Sequence, residues 1–321
     1  MKVSVVICTW NRADLLDSTL SSMNNLEVQR DLQWELIVVN NNSTDHTDEV
    51  IRKHESTLPI RGLFESRPGK SHALNLAGEH AQGELIAWTD DDVLVEPNWL
   101  SAYFIAAEQH PEATFFGGPV EPWFEQEPPQ WFRRNKRMLS GIFAGRPVQP
   151  NEYTTITQGG TFPVGANMVA RRDRISGYTY DTRIGPRKNS ETRGEDFAFV
   201  QDLLDNGHSG IWVNSAKVRH FTPTKRITTQ YVWDWYVGHG RTLARQNKEP
   251  STKLFGVPRW ALTKYLRHRL LSSVFSPLQN SAWLKQYTQA ATCYGFCLES
   301  REVVEAAEVG ATEGASPSSK A

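Results

Sequence analysis

The stretch GELIAWTDDDVLVEPNW, residues Gly83 to Trp99, places the three carboxylates of Asp90 to Asp92 directly after an apolar run. Leu85 to Thr89 predicts a buried strand, and Pro97 predicts the start of the helix beyond it. In open α/β sheets, ligands bind outside the carboxyl ends of the strands. Three like charges in a row repel one another where water is scarce, so they need either full solvation or a cation such as a divalent metal. Taken alone, the triplet leaves a solvated acidic turn open as the alternative.

The chain that precedes this stretch repeats strand, polar turn and helix. Lys2 to Thr9 and Trp34 to Val39 predict two buried strands, and the second leads into the polar turn from Asn40 to Asp45. A third short strand is predicted near Ile60 to Glu65, ahead of the RPGKS sequence at residues 67–71. This succession is typical of a doubly wound sheet. The predicted fold class is therefore α/β, with a Rossmann-like, mostly parallel central sheet flanked by helices.

The composition is that of an ordinary globular protein. The 321 residues are 39% hydrophobic, and 35 basic residues nearly balance 36 acidic ones, so no overall field favours nucleic acid. Cys8, Cys293 and Cys297 form no metal-ligand pattern, which favours a reducing compartment. We recognise no signal peptide and no run of 18 apolar residues. The expected location is the cytoplasm, with peripheral attachment to the inner face of the cell membrane as an extension.

Four loop motifs together resemble a known family. They are VSVVICTWNR at residues 3–12, ELIVVNNNSTDHT at 35–47, RPGKSHALNLA at 67–77 and GELIAWTDDDV at 83–93. In this order and at these separations they are similar to the amino-terminal half of the family 2 glycosyltransferases of GT-A fold. The resemblance covers roughly residues 2–245. It implies an inverting enzyme of bacterial polysaccharide or glycolipid synthesis that moves a sugar from a nucleoside diphosphate-sugar to a hydroxyl group.

The resemblance also implies a donor site in the first loops. The residues that would hold the nucleotide and its phosphates are Thr9, Asn11, Arg12, Asn40, Asn42, Lys70, Asp90 and Asp91. Turn formation and a helix-surface charge are the structural alternatives for the asparagines and for Arg12. Relatives often carry Asp at the position of Asn40, and this departure leaves the identity of the nucleotide base open. We expect UDP ahead of GDP or dTDP.

A metal is expected because a nucleoside diphosphate brings negative charge to a site already rich in carboxylates. Hard oxygen ligands and a diphosphate suit Mn²⁺ or Mg²⁺. The spacing of Asp90 and Asp92 lets both side chains point to one side once the strand turns, and Asp92 is the preferred direct ligand. The resemblance implies that His220 returns to the metal, and a purely structural histidine is the alternative.

The catalytic base is assigned by the resemblance to the acidic start of a helix. Asp196 is the predicted base and Glu195 the supporting or alternative group, although acidic residues also suit any helix start because of the helix dipole. A sugar hydroxyl is a poor nucleophile until a carboxylate takes its proton. Gly165, Asn167 and Arg241 are weaker predictions for contacts with the acceptor or phosphates, and a simple strand-entry turn is the alternative for the first two.

The predicted organisation has four parts. Residues 1–115 form the nucleotide-sugar half, 116–245 the acceptor-binding and catalytic half of the same domain, 246–305 a helical extension, and 306–321 a disordered tail. From Arg219 to Arg269 there are eleven Lys or Arg residues against two acidic ones. At the end of this segment and just beyond it, one helical face carries Leu262, Leu266, Leu270 and Val274. Such a stretch suits an anionic membrane surface, and a helix packed on its own core is the alternative.

Two other classes of function remain open at this point. One is a nucleotide-sugar-binding or carbohydrate-binding protein without turnover, and the other is a nucleotidyltransferase. The second class usually opens with a Gly-rich loop after the first strand, whereas the loop here, TWNR at residues 9–12, has no glycine. No nucleic-acid-binding motif is present. The partners predicted are therefore the donor nucleotide, a saccharide or lipid-linked saccharide acceptor, and an anionic membrane surface.

Overall fold

The computed structural model describes residues 1–182, 195–246, 252–254 and 256–313 of the chain. By their internal contacts these residues form two compact units. Of the described residues, unit 1 comprises 1–126, 140–182 and 195–223, and unit 2 comprises 127–139, 224–246, 252–254 and 256–313. The boundary between the units falls after Pro223, so the helix Thr229–Gln246 belongs to unit 2. From the sequence, this stretch is instead predicted to belong to the catalytic half, residues 116–245.

Unit 1 is built on an eight-stranded sheet. Its strands are β1 (Lys2–Thr9), β2 (Gln33–Asn40), β3 (Ile60–Phe64), β4 (Leu85–Asp90), β6 (Phe115–Gly117), β8 (Tyr153–Ile156), β9 (Met168–Arg171) and β10 (Gly210–Val213), with β5 (Val93–Val95), β7 (Val120–Phe124) and β11 (Val218–Thr222) in a second sheet. The large sheet has the order β3-β2-β1-β4-β9-β6-β10-β8. Its first four strands are parallel, while β9 runs antiparallel to β4 and β6. The predicted α/β class with a mostly parallel central sheet of GT-A type is confirmed.

Alternating side chains of the central strands build a core on each face of the sheet. In β1, Val5 and Ile7 belong to one core and Val6 to the other, as the period of two in a strand requires. The helices of unit 1 are α1 (Ala13–Met23), α2 (Thr47–His54), α3 (Lys70–His80), α4 (Trp99–Gln109) and α6 (Glu195–Asp205). Helices α1, α2 and α4 cover the first face, and α3 and α6 cover the second. Both faces are therefore buried, which explains the continuous apolar runs.

The helix after the acidic stretch begins later than its proline suggests. Pro97 and Asn98 lie in a turn, and α4 starts at Trp99 with Asn98 as the N-cap residue. Strand β4 ends at Asp90, one residue beyond the predicted end at Thr89. The first aspartate of the triplet is thus part of the sheet, and the other two lie in the turn that follows.

Unit 2 is helical. It contains α5 (Gln130–Arg134), α7 (Thr229–Gln246), α8 (Arg259–Phe275) and α9 (Ser281–Glu313), with a short hairpin of β12 (Lys253–Leu254) and β13 (Val257–Pro258). Aromatic rings pack between these helices, with Trp283 beside Trp131 and Tyr287. Helix α9 extends to Glu313, so the tail predicted from Ala306 is helical up to that residue, and its last eight residues lie outside the described part. Among the described residues, no helix combines the length and the apolarity that crossing a bilayer requires.

Candidate active site

The site lies where the parallel strands β1, β2 and β4 end. The register pairs Thr9 with Asn40, and Cys8 with Asp90, so the loops after these three strands meet at one edge of the sheet. The predicted residues of those loops are brought together here. This is the edge at which a doubly wound sheet binds ligands.

Three potential metal ligands converge at this edge. Each of Asp90, Asp92 and His220 offers one ligand atom, and these atoms lie within 4.8 Å of one another. His220 Nε2 lies 3.3 Å from Asp92 Oδ1 and 4.0 Å from Asp90 Oδ2. Asp92 and His220 are buried, and Asp90 is half-buried. The trio predicted from the sequence therefore exists as a cluster.

The small second sheet explains why a residue 128 positions after Asp92 reaches it. Strand β11 pairs antiparallel with β5, which sets His220 opposite Val93, the neighbour of Asp92. In addition, the Phe221 amide donates a hydrogen bond of 2.8 Å to the Asp92 carbonyl oxygen. Backbone pairing thus fixes His220 beside the triplet.

Asp92 also provides the test of whether the cluster suits a cation. Its Oδ1 atom is fully buried and accepts no hydrogen bond from the described residues. A buried carboxylate oxygen without a hydrogen bond is costly. A divalent cation bound by Asp90, Asp92 and His220 would satisfy it, and the donor set of two carboxylates and an imidazole suits Mn²⁺.

Two cations already offset the carboxylates. One nitrogen of Arg12, Nη1, lies 2.9 Å from Asp91 Oδ1 and 3.1 Å from Asp92 Oδ2. Lys70 Nζ lies 2.7 Å from Asp90 Oδ1 and 3.9 Å from Glu195 Oε1. Lys70 is the first residue of α3, where the helix dipole adds positive potential. Lys70 therefore supplies positive charge beside Asp90, and Arg12 supplies it beside Asp91 and Asp92.

The pKa values of Asp90 and Asp91 diverge because these cations are unevenly placed. Burial opposes the ionisation of Asp90, but Lys70 and His220 outweigh it and lower the pKa. Burial raises the pKa of Asp91 to about 6, because the pairing with Arg12 offsets it only in part. Burial also opposes the charge of Lys70, but its carboxylate neighbours raise the pKa of the ammonium well above its usual value. Lys70 is thus a fixed cation at neutral pH.

The acidic start of α6 lies close to this cluster. Asp196 Oδ2 accepts a hydrogen bond of 2.7 Å from the Gly165 amide. A Cβ atom on Gly165 would lie only 2.8 Å from Asp196 Oδ1, so the loop approaches the carboxylate as closely as a glycine permits. Glu195 is more deeply buried, and burial, with the charge of Asp196, raises the pKa of Glu195 to about 7. The two carboxyl groups therefore differ in exposure.

The asparagine turn after β2 mostly holds itself together. Asn40 donates to Asp48 Oδ1 and accepts from the Ser43 amide, so its side chain is occupied within the turn. Asn11 accepts from the Thr44 amide and links the first two loops. Asn42 is exposed with a φ of 62°, and Thr9 is buried. All four lie at the predicted edge, where Asn11 and Asn42 are exposed and Asn40 is buried.

Sequence reasoning missed two residues that position the site. Asn41 bonds the carbonyl oxygens of Glu65 and Arg67 and accepts from the Gly69 amide, so it fixes the loop that leads into Lys70. Arg146 donates to the Phe162 carbonyl oxygen, and its charge interacts with Asp196. Asn41 could have been found within the polar turn, whereas nothing around Arg146 in the sequence indicates its place.

One of the weaker predictions requires revision. Asn167 is fully buried, and its side chain bonds Trp99 Nε1, the Tyr103 hydroxyl and two carbonyl oxygens. It is therefore a structural residue rather than an acceptor contact. Arg241 belongs to unit 2, where its guanidinium lies 3.5 Å from Glu299 Oε2, and its predicted contact with the acceptor or phosphates stays a prediction.

Comparisons with known proteins identify the family of this chain and proteins similar to it. The sequence model of the family described as "Glycosyl transferase family 2" matches residues 4–176. The glucosyl-dolichyl phosphate glucuronosyltransferase of Haloferax volcanii is 24% identical over 242 residues, which cover 74% of this chain and 73% of the relative.

Solved structures match over almost the whole chain. The mannosyltransferase PcManGT from Pyrobaculum calidifontis, in complex with GDP-Man and Mn²⁺, gives a TM-score of 0.54 at 19% identity and covers 98% of this chain and 79% of its own. S. aureus TarS 1-349, in complex with UDP-GlcNAc, gives 0.53 at 15% identity and covers 96% and 92%. At these identities the likeness shows the fold alone.

Proposed function

Because this chain belongs to glycosyl transferase family 2, we propose that it is a metal-dependent, inverting glycosyltransferase. It would move a sugar from a nucleoside diphosphate-sugar to a hydroxyl acceptor in the synthesis of a cell-surface polysaccharide or glycolipid. One observation carries the proposal. The Lys70 amine contacts Asp90 and approaches Glu195, so that a cation site and an acidic helix start lie within reach of one side chain.

The donor would lie across the ends of β1, β2 and β4. Its nucleotide would contact the loops of Asn11 and Asn42, and its diphosphate would approach Lys70 and the cation site. Asp90, Asp92 and His220 would hold the metal, Mn²⁺ or Mg²⁺. When bound, the metal supplies positive charge that stabilises the departing diphosphate. Arg12 keeps Asp92 in place through its 3.1 Å contact, and Lys70 contributes a permanent positive charge.

We assign the proton transfer to Asp196. The Gly165 amide holds one of its oxygens and leaves the carboxylate oriented within a half-buried site. It would accept the proton of the acceptor hydroxyl as the oxygen attacks the sugar carbon. The bond from that carbon to the diphosphate oxygen breaks in the same step, which inverts the configuration. Glu195 is too deeply buried to be the first choice and would support the site beside Lys70.

The donor base and the acceptor follow by analogy. Among the neighbours, TarS was solved with UDP-GlcNAc and PcManGT with GDP-Man, so both bases are compatible with this fold. We expect the donor to be a UDP-sugar, with GDP or dTDP as the alternative nucleotides. The Haloferax relative is named for a dolichyl-phosphate-linked substrate, which supports a lipid-linked saccharide as the acceptor class.

The experiment compares Asp196→Asn with Glu195→Gln. Nucleotide release from UDP-, GDP- and dTDP-sugars with a panel of saccharide acceptors would be measured together with donor affinity. We expect Asp196→Asn to lower transfer by about 100-fold or more, the range of general-base catalysis, with the donor dissociation constant within about twofold. A larger loss in Glu195→Gln would move the base to Glu195. Full transfer by both variants would overturn the mechanism, and donor binding without turnover in the wild type would favour a binding protein.

A further inference from the structure

Helix α8 of unit 2 exposes a row of aliphatic side chains. Leu266, Leu270 and Val274 are 58%, 67% and 64% exposed, and Leu278 in the following turn is 55% exposed. The first three are spaced four residues apart and so follow one side of the helix over about 12 Å. Of the apolar face that the sequence predicts, only Leu262 is half-buried. The side of α8 that packs inside unit 2 is instead marked by Ala261 and Ser272.

Basic residues accompany this row. Helix α8 contains Arg259, Lys264, Arg267 and Arg269 and no acidic residue. At about 100° per residue, the positions of Arg259 and Arg267 fall within the same third of the helix surface as the row of aliphatic residues. Both side chains are exposed. Arg269 is different, because its guanidinium lies 5.3 Å from the centre of the Trp233 ring within unit 2.

An aromatic residue completes the face at its amino-terminal end. Trp260 is 40% exposed, and the Lys264 ammonium lies 5.2 Å from the centre of its ring. Tryptophan and lysine together are typical of residues at the level of lipid headgroups. The face therefore combines aliphatic, aromatic and cationic groups in one exposed surface.

We propose that this exposed face of α8 docks on an anionic lipid bilayer, with the helix lying in the plane of the interface. Aliphatic side chains gain free energy on leaving water only if the partner offers an apolar phase, and the flanking cations require negative charge. An anionic bilayer provides both, whereas nucleic acid provides only the charge. A symmetric dimer through this face would bring together two copies of a helix without acidic residues, and like charges would oppose it.

The inference goes beyond the proposed function, since docking requires neither the metal nor the base. It would retain the chain at the surface on which lipid-linked substrates are found. The face as described cannot replace a spanning segment, because its apolar part is a narrow stripe rather than the whole helix circumference. Binding should accordingly be reversible and sensitive to salt.

Vesicle flotation with the full chain tests the proposal. The probes are phosphatidylcholine vesicles with and without 30 mol% phosphatidylglycerol, at low and at high salt. We expect the protein to float with the anionic vesicles at low salt, to float several-fold less at high salt, and to remain unbound with phosphatidylcholine alone. Leu266→Ser combined with Leu270→Ser should lower partitioning by about tenfold or more, because two exposed aliphatic anchors are lost.

Two further variants test the contribution of the cations and control for substitution at an exposed position. Arg259→Glu with Arg267→Glu should remove the preference for anionic vesicles, whereas Val148→Ser, at a 52% exposed position of unit 1, should bind as the wild type does. The proposal is overturned if the wild type ignores anionic vesicles or if the leucine variant floats normally. It is also overturned if light scattering shows a wild-type dimer that the leucine variant converts to a monomer, because the face would then be a contact between copies.

Discussion

At the scale of single residues, the site depends on how closely Gly165 approaches Asp196. The amide of Gly165 donates to one carboxylate oxygen, while the missing side chain makes room for the other. A methyl group there would displace Asp196 or the loop. The absence of a side chain at residue 165 is therefore part of how the proposed base is oriented.

Gly165→Ala should lower kcat by about 100-fold, since a misplacement of about 1 Å costs roughly that factor, and should leave the KM for the donor nearly unchanged. Steady-state kinetics with the variant would measure both. Gly78→Ala is the matched control, because a Cβ atom at Gly78 meets nothing within 4 Å and should leave kcat at the wild-type value. Equal kcat values for the two variants would show that the loop at Gly165 does not orient the base.

The triplet shows how neighbouring aspartates acquire different tasks. Asp90 and Asp92 face His220, while Asp91 pairs with Arg12. Burial raises the pKa of Asp91. Asp90 ends β4, while Asp91 and Asp92 lie in the turn that follows. This turn brings Asp92 back beside Asp90, so that both proposed ligands lie near His220.

At the scale of elements, Asn167 connects three parts of unit 1. Its side chain bonds two aromatic residues of α4, the Pro119 carbonyl before β7 and the Ala216 carbonyl before β11. It thus fixes α4 and the strand that carries His220 relative to the central sheet. A fully buried amide with all its hydrogen bonds made stabilises such a junction.

Asn167→Ala should lower the free energy of unfolding by about 3 kcal/mol, because buried donors and acceptors lose their partners. Urea denaturation of the protein, followed by tryptophan fluorescence, would measure the change. Asn25→Ala, at an exposed helix-end position with one long hydrogen bond of 3.5 Å, should change stability by less than about 0.5 kcal/mol. A cost below about 1 kcal/mol for Asn167→Ala would mean that the junction is held by packing alone.

The second sheet is the element that completes the site. Strand β11 pairs with β5 and β7, neither of which belongs to the large sheet. Through this pairing a histidine late in the chain meets carboxylates at the end of β4. The arrangement makes the cation cluster depend on folding of the whole of unit 1.

At the scale of the whole molecule, the sequence predicts the first half of unit 1 well. The apolar runs of β1, β2 and β4 and the polar turns after them are local signals, and the structure agrees with them to within one residue at most ends. The edge at which Asp90, Asp92 and Lys70 meet follows from parallel pairing of these strands. Periodicity and turn chemistry are sufficient for that part.

The remainder depends on contacts that are distant in sequence. Nothing local in the sequence indicates that Asn167 is buried among α4 and two loops or that Arg146 lies near Asp196. The pattern of α8 leaves open whether its aliphatic row is exposed or packed on the core, and the structure shows it exposed. A G-A-N segment suggests a surface loop as readily as a buried junction. Such assignments need the tertiary structure, because the same residue types serve both purposes.

The central claim is that the edge of the sheet binds a nucleoside diphosphate together with a divalent cation. Isothermal titration of the purified protein with UDP, GDP and dTDP, each with Mn²⁺ and then with chelator, tests it most directly. We predict that one nucleotide, expected to be UDP, binds only with Mn²⁺, that Asp92→Ala abolishes the binding, and that Asp14→Asn, at an exposed position of α1, retains it. Binding of none of the three nucleotides under either condition, or unchanged binding by Asp92→Ala, would contradict the claim.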